Sequence, residues 1–126
     1  MANIRDDSHL VDGARAEARA QAYLEQQGLT TWIKNYRCKT GEIDLIMCEG
    51  DTLVFVEVRL RTNRFFSSAA ESITPAKRQK MIRTAQRFLQ ERGLVDKHAC
   101  RFDIIALDAK GQHAKPEWIR DAFGIY

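Results

Sequence analysis

A chain of 126 residues, 44% hydrophobic and 29% charged, has the length of one domain and ordinary globular composition, which excludes a disordered or fibrous protein. Its net charge of +3 is modest, no apolar run approaches the length of a membrane span, and the amino terminus lacks the apolar core of a secretory signal, so a cytosolic protein is expected. Cys38, Cys48 and Cys100 are widely spaced, with no C-x-x-C and no nearby histidine pair, and signal neither a disulfide framework nor a zinc site.

In chain order, residues 1–12 are polar and without periodicity, and a loose lead-in is expected. From Ala14 to Gln27 the alanine-rich run favours a helix, with Gly28 where a C-terminal cap belongs. Its apolar stripe is Ala16, Ala20, Tyr23 and Leu24, and Glu17 falls beside that stripe, either as a functional acid or as a boundary residue paired with Arg15 or Arg19. Thr30 to Arg37 has the β-branched and aromatic bias of a strand, and Lys39-Thr40-Gly41 turns the chain into a hairpin.

That hairpin, Gly41 to Arg61, plants acids in two strands that otherwise read as apolar. Period-2 alternation puts Glu42, Asp44 and Ile46 on one face and Ile43, Leu45 and Met47 on the other. In the second strand Leu53, Phe55, Glu57, Arg59 and Arg61 face one way, and Val54, Val56, Val58 and Leu60 the other. With Gly50-Asp51 as the centre of a two-residue turn, Asp44 falls opposite Glu57 and Glu42 opposite Arg59. Directly opposed like charges destabilise a sheet by up to about 1 kcal/mol, so the pair asks for a compensating cation.

After Arg61, residues 62–72 read as a loop in which Phe65 and Phe66 follow Arg64. Thr74-Pro75 is an N-cap followed by a first-turn proline. Met81, Ala85, Phe88 and Leu89 form the apolar stripe of a second helix that ends at Gly93 and carries Lys77, Arg78, Lys80, Arg83 and Arg87 on its opposite surface. Arg101 to Leu107 reads as a buried strand, its Asp103 best explained as a strand-end acid paired with Arg101 or a neighbouring basic side chain. A polar loop, 108–116, leads to a short tail in which Trp118, Ile119, Phe123 and Ile125 are core or edge contacts. Between Glu57 and Arg101 eleven Lys or Arg face four acids, a local +7 that leaves the rest of the chain at −4. Such asymmetry is either a solvated surface, the commoner outcome for a charge run, or the footprint of a phosphate-backbone binder.

These parts suit phosphodiester hydrolysis. A Mg²⁺ or Mn²⁺ ion takes hard oxygen ligands and keeps several waters, so Asp44, Glu57 and the carbonyl of Val58 suffice to hold it, with Glu17 beside a water or a second ion. Arg59, two residues after Glu57, shares its face and can reach a phosphate. Arg61 and the basic helix residues Lys77, Arg78, Lys80, Arg83 and Arg87 are the candidate nucleic-acid contacts.

Six stretches in order, G-A-R-x-E at Gly13 to Glu17, N-Y-R-C at Asn35 to Cys38, G-E-I-D-L-I at Gly41 to Ile46, V-F-V-E-V at Val54 to Val58, R-F-D at Arg101 to Asp103 and the terminal I-R-D-A-F, closely resemble the YraN-like family of bacterial proteins. That family looks like a branch of the PD-(D/E)xK nucleases near the Holliday-junction resolvases. The resemblance implies a single α/β domain over 1–126, a restriction-endonuclease-like mixed sheet with the core order helix, three strands, helix, strand, flanked by helices. It implies Asp44 as the motif aspartate, Glu57 as the second metal-binding acid, Glu17 as the helix glutamate, branched or structured DNA as substrate and, by analogy with resolvases, a homodimer. One departure stands out. Arg59 occupies the motif's lysine position, and arginine keeps its proton where lysine can exchange one. Arg59 is then either locked to Glu42 across the hairpin, or replaced in its role by another lysine, for which Lys77 is the candidate. The alternative to an endonuclease is a nucleic-acid-binding module that keeps the fold without catalysis.

Overall fold

A computed structural model describes residues 8–61, 72–108 and 115–124. Residues 1–7, the loop residues Arg64, Phe65 and Phe66, and Ile125 lie outside the described residues. The elements run α1 (Ser8–Gln26), β1 (Thr30–Cys38), β2 (Gly41–Glu49), β3 (Thr52–Arg61), α2 (Pro75–Glu91), β4 (Cys100–Asp108) and β5 (Glu117–Phe123). The five strands form one sheet in the order β1-β2-β3-β4-β5. β3 and β4 pair in parallel through the α2 crossover, and every other pair is antiparallel. This is the expected restriction-endonuclease-like α/β architecture. Among the described residues no helix is long and apolar enough to cross a membrane.

Each face of the sheet has its own helix and its own core. Ala16, Ala20 and Leu24, four residues apart along α1, pack with Leu45, Met47, Val54, Val56, Ile105 and Leu107. On the other face Met81, Ile82, Ala85 and Phe88 of α2 close over Ile43, Ile46, Phe55, Phe102, Ile104 and Ala106. β3 and β4, covered on both sides, therefore read as almost continuous apolar runs. Both helix ends follow their residues. Gly28, at φ 104°, lets its own amide reach the Glu25 carbonyl and that of Leu29 reach the Leu24 carbonyl, each at 3.1 Å. Thr74 Oγ1 caps α2 by accepting from the Lys77 amide at 3.1 Å.

Two expectations are corrected. Residues 8–12 are not a loose lead-in but continue α1, because the single Gly13 costs a helix only about 1 kcal/mol relative to alanine and does not end it. The tail is a full edge strand, β5. Asp121, at φ 52°, lies in a bulge where the register shifts between the pairs Ile104↔Ile119 and Phe102↔Phe123. The bulge places Trp118, Ile119, Ala122 and Phe123 out of strict alternation, hiding the strand from a period-2 reading. Asp103 holds it in place. Wholly buried, its carboxylate accepts from Asp121 N at 3.0 Å, Trp118 Nε1 at 2.9 Å and Arg101 Nε at 3.0 Å. The expected Arg101 pairing is thus present, within a larger network.

Candidate active site

The β2–β3 hairpin has the expected register from the turn outward, Glu49↔Thr52 to Leu45↔Val56, and there the ladder ends. Beyond it the strands part, and the side chain of Asp44 fills the fork: its Oδ2 accepts from the Val58 amide at 2.8 Å, supplying the bond the departing strand no longer gives. At the same level β1 is irregular too. Asn35 adopts φ 54°, a left-handed conformation that asparagine tolerates better than other side chains with a Cβ. Across this point Ile33 and Tyr36, three residues apart, lie on the same α2-side core, as do Ile43 and Ile46 in β2. Both strands lose their pleat together at the level of Asp44. Ile43 is accordingly on the opposite face from Leu45 and Met47, contrary to strict alternation. Glu42, expected opposite Arg59, instead pairs with its β1 neighbour Arg37 at 2.8 Å.

The structure brings Glu17, Asp44 and Glu57 to this fork. Burial pushes the Asp44 carboxyl up to about 7, helped by the Glu57 charge and opposed by the Val58 amide, with the more distant Glu42 also raising it. Glu17 on α1 is held above the ordinary carboxylate range by burial and by the charge of Asp44, while a hydrogen bond from Asn35 works the other way. Glu17, half-buried at the boundary of α1, thus feels the charge of Asp44. Glu57 is buried, and two cations approach the same oxygen: Lys77 Nζ lies 3.5 Å from Oε2 and Arg59 Nη1 3.6 Å from it. Arg59 is anchored on its other side, donating from Nη2 to the Ser72 carbonyl at 3.3 Å. It is not locked to Glu42. Lys77 enters from the first turn of α2, where the Thr74 cap fixes its backbone.

The remaining basic side chains divide. Lys80 and Arg83 are exposed on α2. Arg87 pairs with Glu91 at 2.9 Å. Arg78 donates to the Ile73 carbonyl at 3.2 Å and lies 5.6 Å from the centre of the Phe123 ring, so part of its role is to pack α2 against β5. Arg61 is drawn away from the fork into ion pairs with Glu117 at 2.6 Å and Asp108 at 3.3 Å. Val58 takes part through its amide. Asn35 and the Ser72 carbonyl were not among the candidate site groups. Asn35 had a legible signal, a residue disfavoured in strands inside a β-branched run, whereas the Ser72 contact depends on where α2 docks.

Comparison with known proteins supplies ancestry. The profile described as the uncharacterised protein family UPF0102 matches residues 16–107. A UPF0102 protein of Methylobacillus flagellatus is 52% identical over 111 residues, 88% of this chain and 95% of its own length. One from Stutzerimonas stutzeri is 48% identical over 111 residues, 88% and 92% of the two chains. Another from Pseudomonas paraeruginosa is 45% identical over 124 residues, 97% and 95%.

Proposed function

Because the chain belongs to the uncharacterised family UPF0102, the YraN-like family, we propose its function from the site alone: a divalent-metal-dependent phosphodiester hydrolase acting as an endonuclease on DNA. The observation that carries this is the fork itself, where Asp44 and Glu57 are held together in partial burial so strongly that Asp44 titrates near neutral pH. A fold that keeps two carboxylates in such a place has a use for their charge.

The donor set suits Mg²⁺ or Mn²⁺. Both acids offer hard oxygens, with Glu17 near enough to interact electrostatically with Asp44. No group of three or more His, Cys, Asp and Glu side chains that could hold a metal is found among the described residues. Asp44 and Glu57 would thus bind the ion with the Val58 carbonyl and water completing its shell, a mixture Mg²⁺ favours. When bound, the ion supplies Lewis-acid stabilisation of the charge that develops on phosphate oxygens. The chain's own groups do the rest. Glu17 accepts a hydrogen bond from a water at the fork, Arg59 binds a phosphate oxygen with a fixed charge, and Lys77 brings an amine able to exchange a proton next to Glu57.

A nucleic-acid-binding module without catalysis is the second possibility, favoured by one observation: Glu57 already faces two cations. Supercoiled, linear, single-stranded and four-way-junction DNA incubated with Mg²⁺ or Mn²⁺ separates the two. Cleavage by the wild type that disappears in Asp44→Asn and Glu57→Gln supports the hydrolase, whereas cleavage that survives both substitutions places the chemistry elsewhere. No cleavage by the wild type, but cleavage by Arg59→Lys, favours the binding module. On junction DNA a two-fold dimer is expected by symmetry with the substrate, and sedimentation of the free protein measures it.

A further inference from the structure

Lys77, Lys80, Arg83 and Arg87 follow one another at intervals of three, three and four residues, which keeps them along one side of α2. Ten residues at the helical rise make that row about 15 Å long. Its upper border is the β1–β2 turn. Thr40 Oγ1 lies 3.0 Å from Thr84 Oγ1 of α2, and a Cβ at Gly41 would sit 3.0 Å from the same Thr84 oxygen and 3.9 Å from Lys80 Cβ. The turn is therefore flush against the helix, and its exposed Lys39 and Arg37 extend the row sideways. Among the described residues the nearby acids are engaged, Glu42 with Arg37 and Glu91 with Arg87 and the Tyr36 hydroxyl. Among the described residues Lys39, Lys80 and Arg83 enter no ion pair.

The geometry points to this face, the α2 row joined to the β1–β2 turn, as the docking surface for the phosphate backbone of duplex nucleic acid, with Lys39, Lys80 and Arg83 as its contacts. The assignment rests on the phosphodiester chemistry proposed for the carboxylate fork, onto which the row opens at Lys77. Charge complementarity selects a polyanion. A duplex is favoured over a single strand because binding of unpaired bases uses exposed aromatic platforms, and among the described residues the exposed ring on β1, Trp32, is occupied by Phe88 and by the Arg92 guanidinium 5.5 Å from its centre. Lys39 is the new element. It belongs to a strand turn far from α2 in sequence, and the Thr40–Thr84 contact and the close approach of Gly41 to Thr84 and Lys80 place it there.

The test is fluorescence anisotropy of a short labelled DNA duplex, and a matched RNA duplex, titrated across salt concentrations. Each phosphate contact contributes about 0.9 to the slope of log affinity against log salt. The triple variant Lys39→Gln/Lys80→Gln/Arg83→Gln is expected to bind at least about tenfold more weakly and to lower the slope by up to about 2.7, that is, three such contacts. A charge-matched control, Arg15→Gln/Arg19→Gln/Lys97→Gln, removes three cations elsewhere and is expected to leave the slope unchanged. Equal losses in the two variants, an unchanged slope in the first, or no duplex affinity in the wild type would each overturn the surface. Failure of the fork chemistry reads separately, as a missing Mn²⁺-induced thermal shift that depends on Asp44. Both triple variants alter exposed or half-exposed side chains, and an unchanged melting temperature checks that they fold.

Discussion

Replacing Asp44 with asparagine should stabilise this protein, and the size and pH dependence of the gain follow from the fork. Asp44 titrates at about 7 in the folded chain against an ordinary 3.8. At about 1.36 kcal/mol per pH unit, ionising it in place opposes folding by at most about 4 kcal/mol. Partial exposure reduces that to roughly 1 to 3 kcal/mol. The folded-state pKa is raised, so the folded chain binds the proton more tightly than the unfolded chain. Wild-type stability from this group is therefore fullest below its ordinary pKa and is lost as pH rises through about 7. Asparagine carries no such term, and its side-chain oxygen can still accept from the Val58 amide. Urea or thermal unfolding without metal should show the variant and the wild type nearly equal only below about pH 4, with the gap opening as pH rises from there to about 7. Above neutrality Asp44→Asn should melt higher, by about 3 to 10 °C for a chain of this size. Saturating Mg²⁺ or Mn²⁺ should narrow the gap by raising the wild type alone, by about 2.7 kcal/mol at a hundredfold excess over Kd. A variant less stable than the wild type in mild alkali, or a gap that ignores pH, would refute the picture of two carboxylates crowded at the fork.

Other substitutions should behave in contrasting ways. Asp103→Asn removes the anion from a wholly buried network of Arg101, Trp118 and the Asp121 amide and should destabilise by about 3 to 5 kcal/mol, read by chemical denaturation. Asn35→Ala puts an ordinary side chain at φ 54° and should cost about 1 to 2 kcal/mol, whereas Asn35→Gly should cost less. The same alanine substitution removes the hydrogen bond that lowers the Glu17 pKa, so a carboxylate-resolved NMR titration should show Glu17 titrating at higher pH. Lys77→Met should reduce any metal-dependent cleavage more than Arg59→Met and alter its alkaline pH limb, since an amine can exchange a proton and a guanidinium does not. Equal losses with unchanged pH profiles would mean that both cations serve only as fixed charges.

The fold was legible because its main instructions are local. A Gly-Asp turn between two apolar runs sets the hairpin register, the Thr74-Pro75 start and the four-residue stripe define α2, and Ala16, Ala20 and Leu24 define the buried side of α1. The acids of the site were legible for the same reason, as charges at positions where alternation demands burial or pairing. What stayed hidden depends on contacts between distant segments or on backbone excursions. Arg61 has the same sequence credentials as Arg59 for a phosphate, yet Glu117, 56 residues further on, claims its guanidinium. β5 was obscured by the bulge at Asp121, whose amide is satisfied by a carboxylate 18 residues away. The fork was hidden most deeply. Opposed carboxylates in an ideal ladder would have been a simple repulsion, relieved by rotating one side chain away. The ladder ends instead, level with a left-handed Asn35, and Asp44 bonds the Val58 amide while staying beside Glu57. The backbone irregularity thus turns an electrostatic fault in the sheet into a positioned pair of carboxylates.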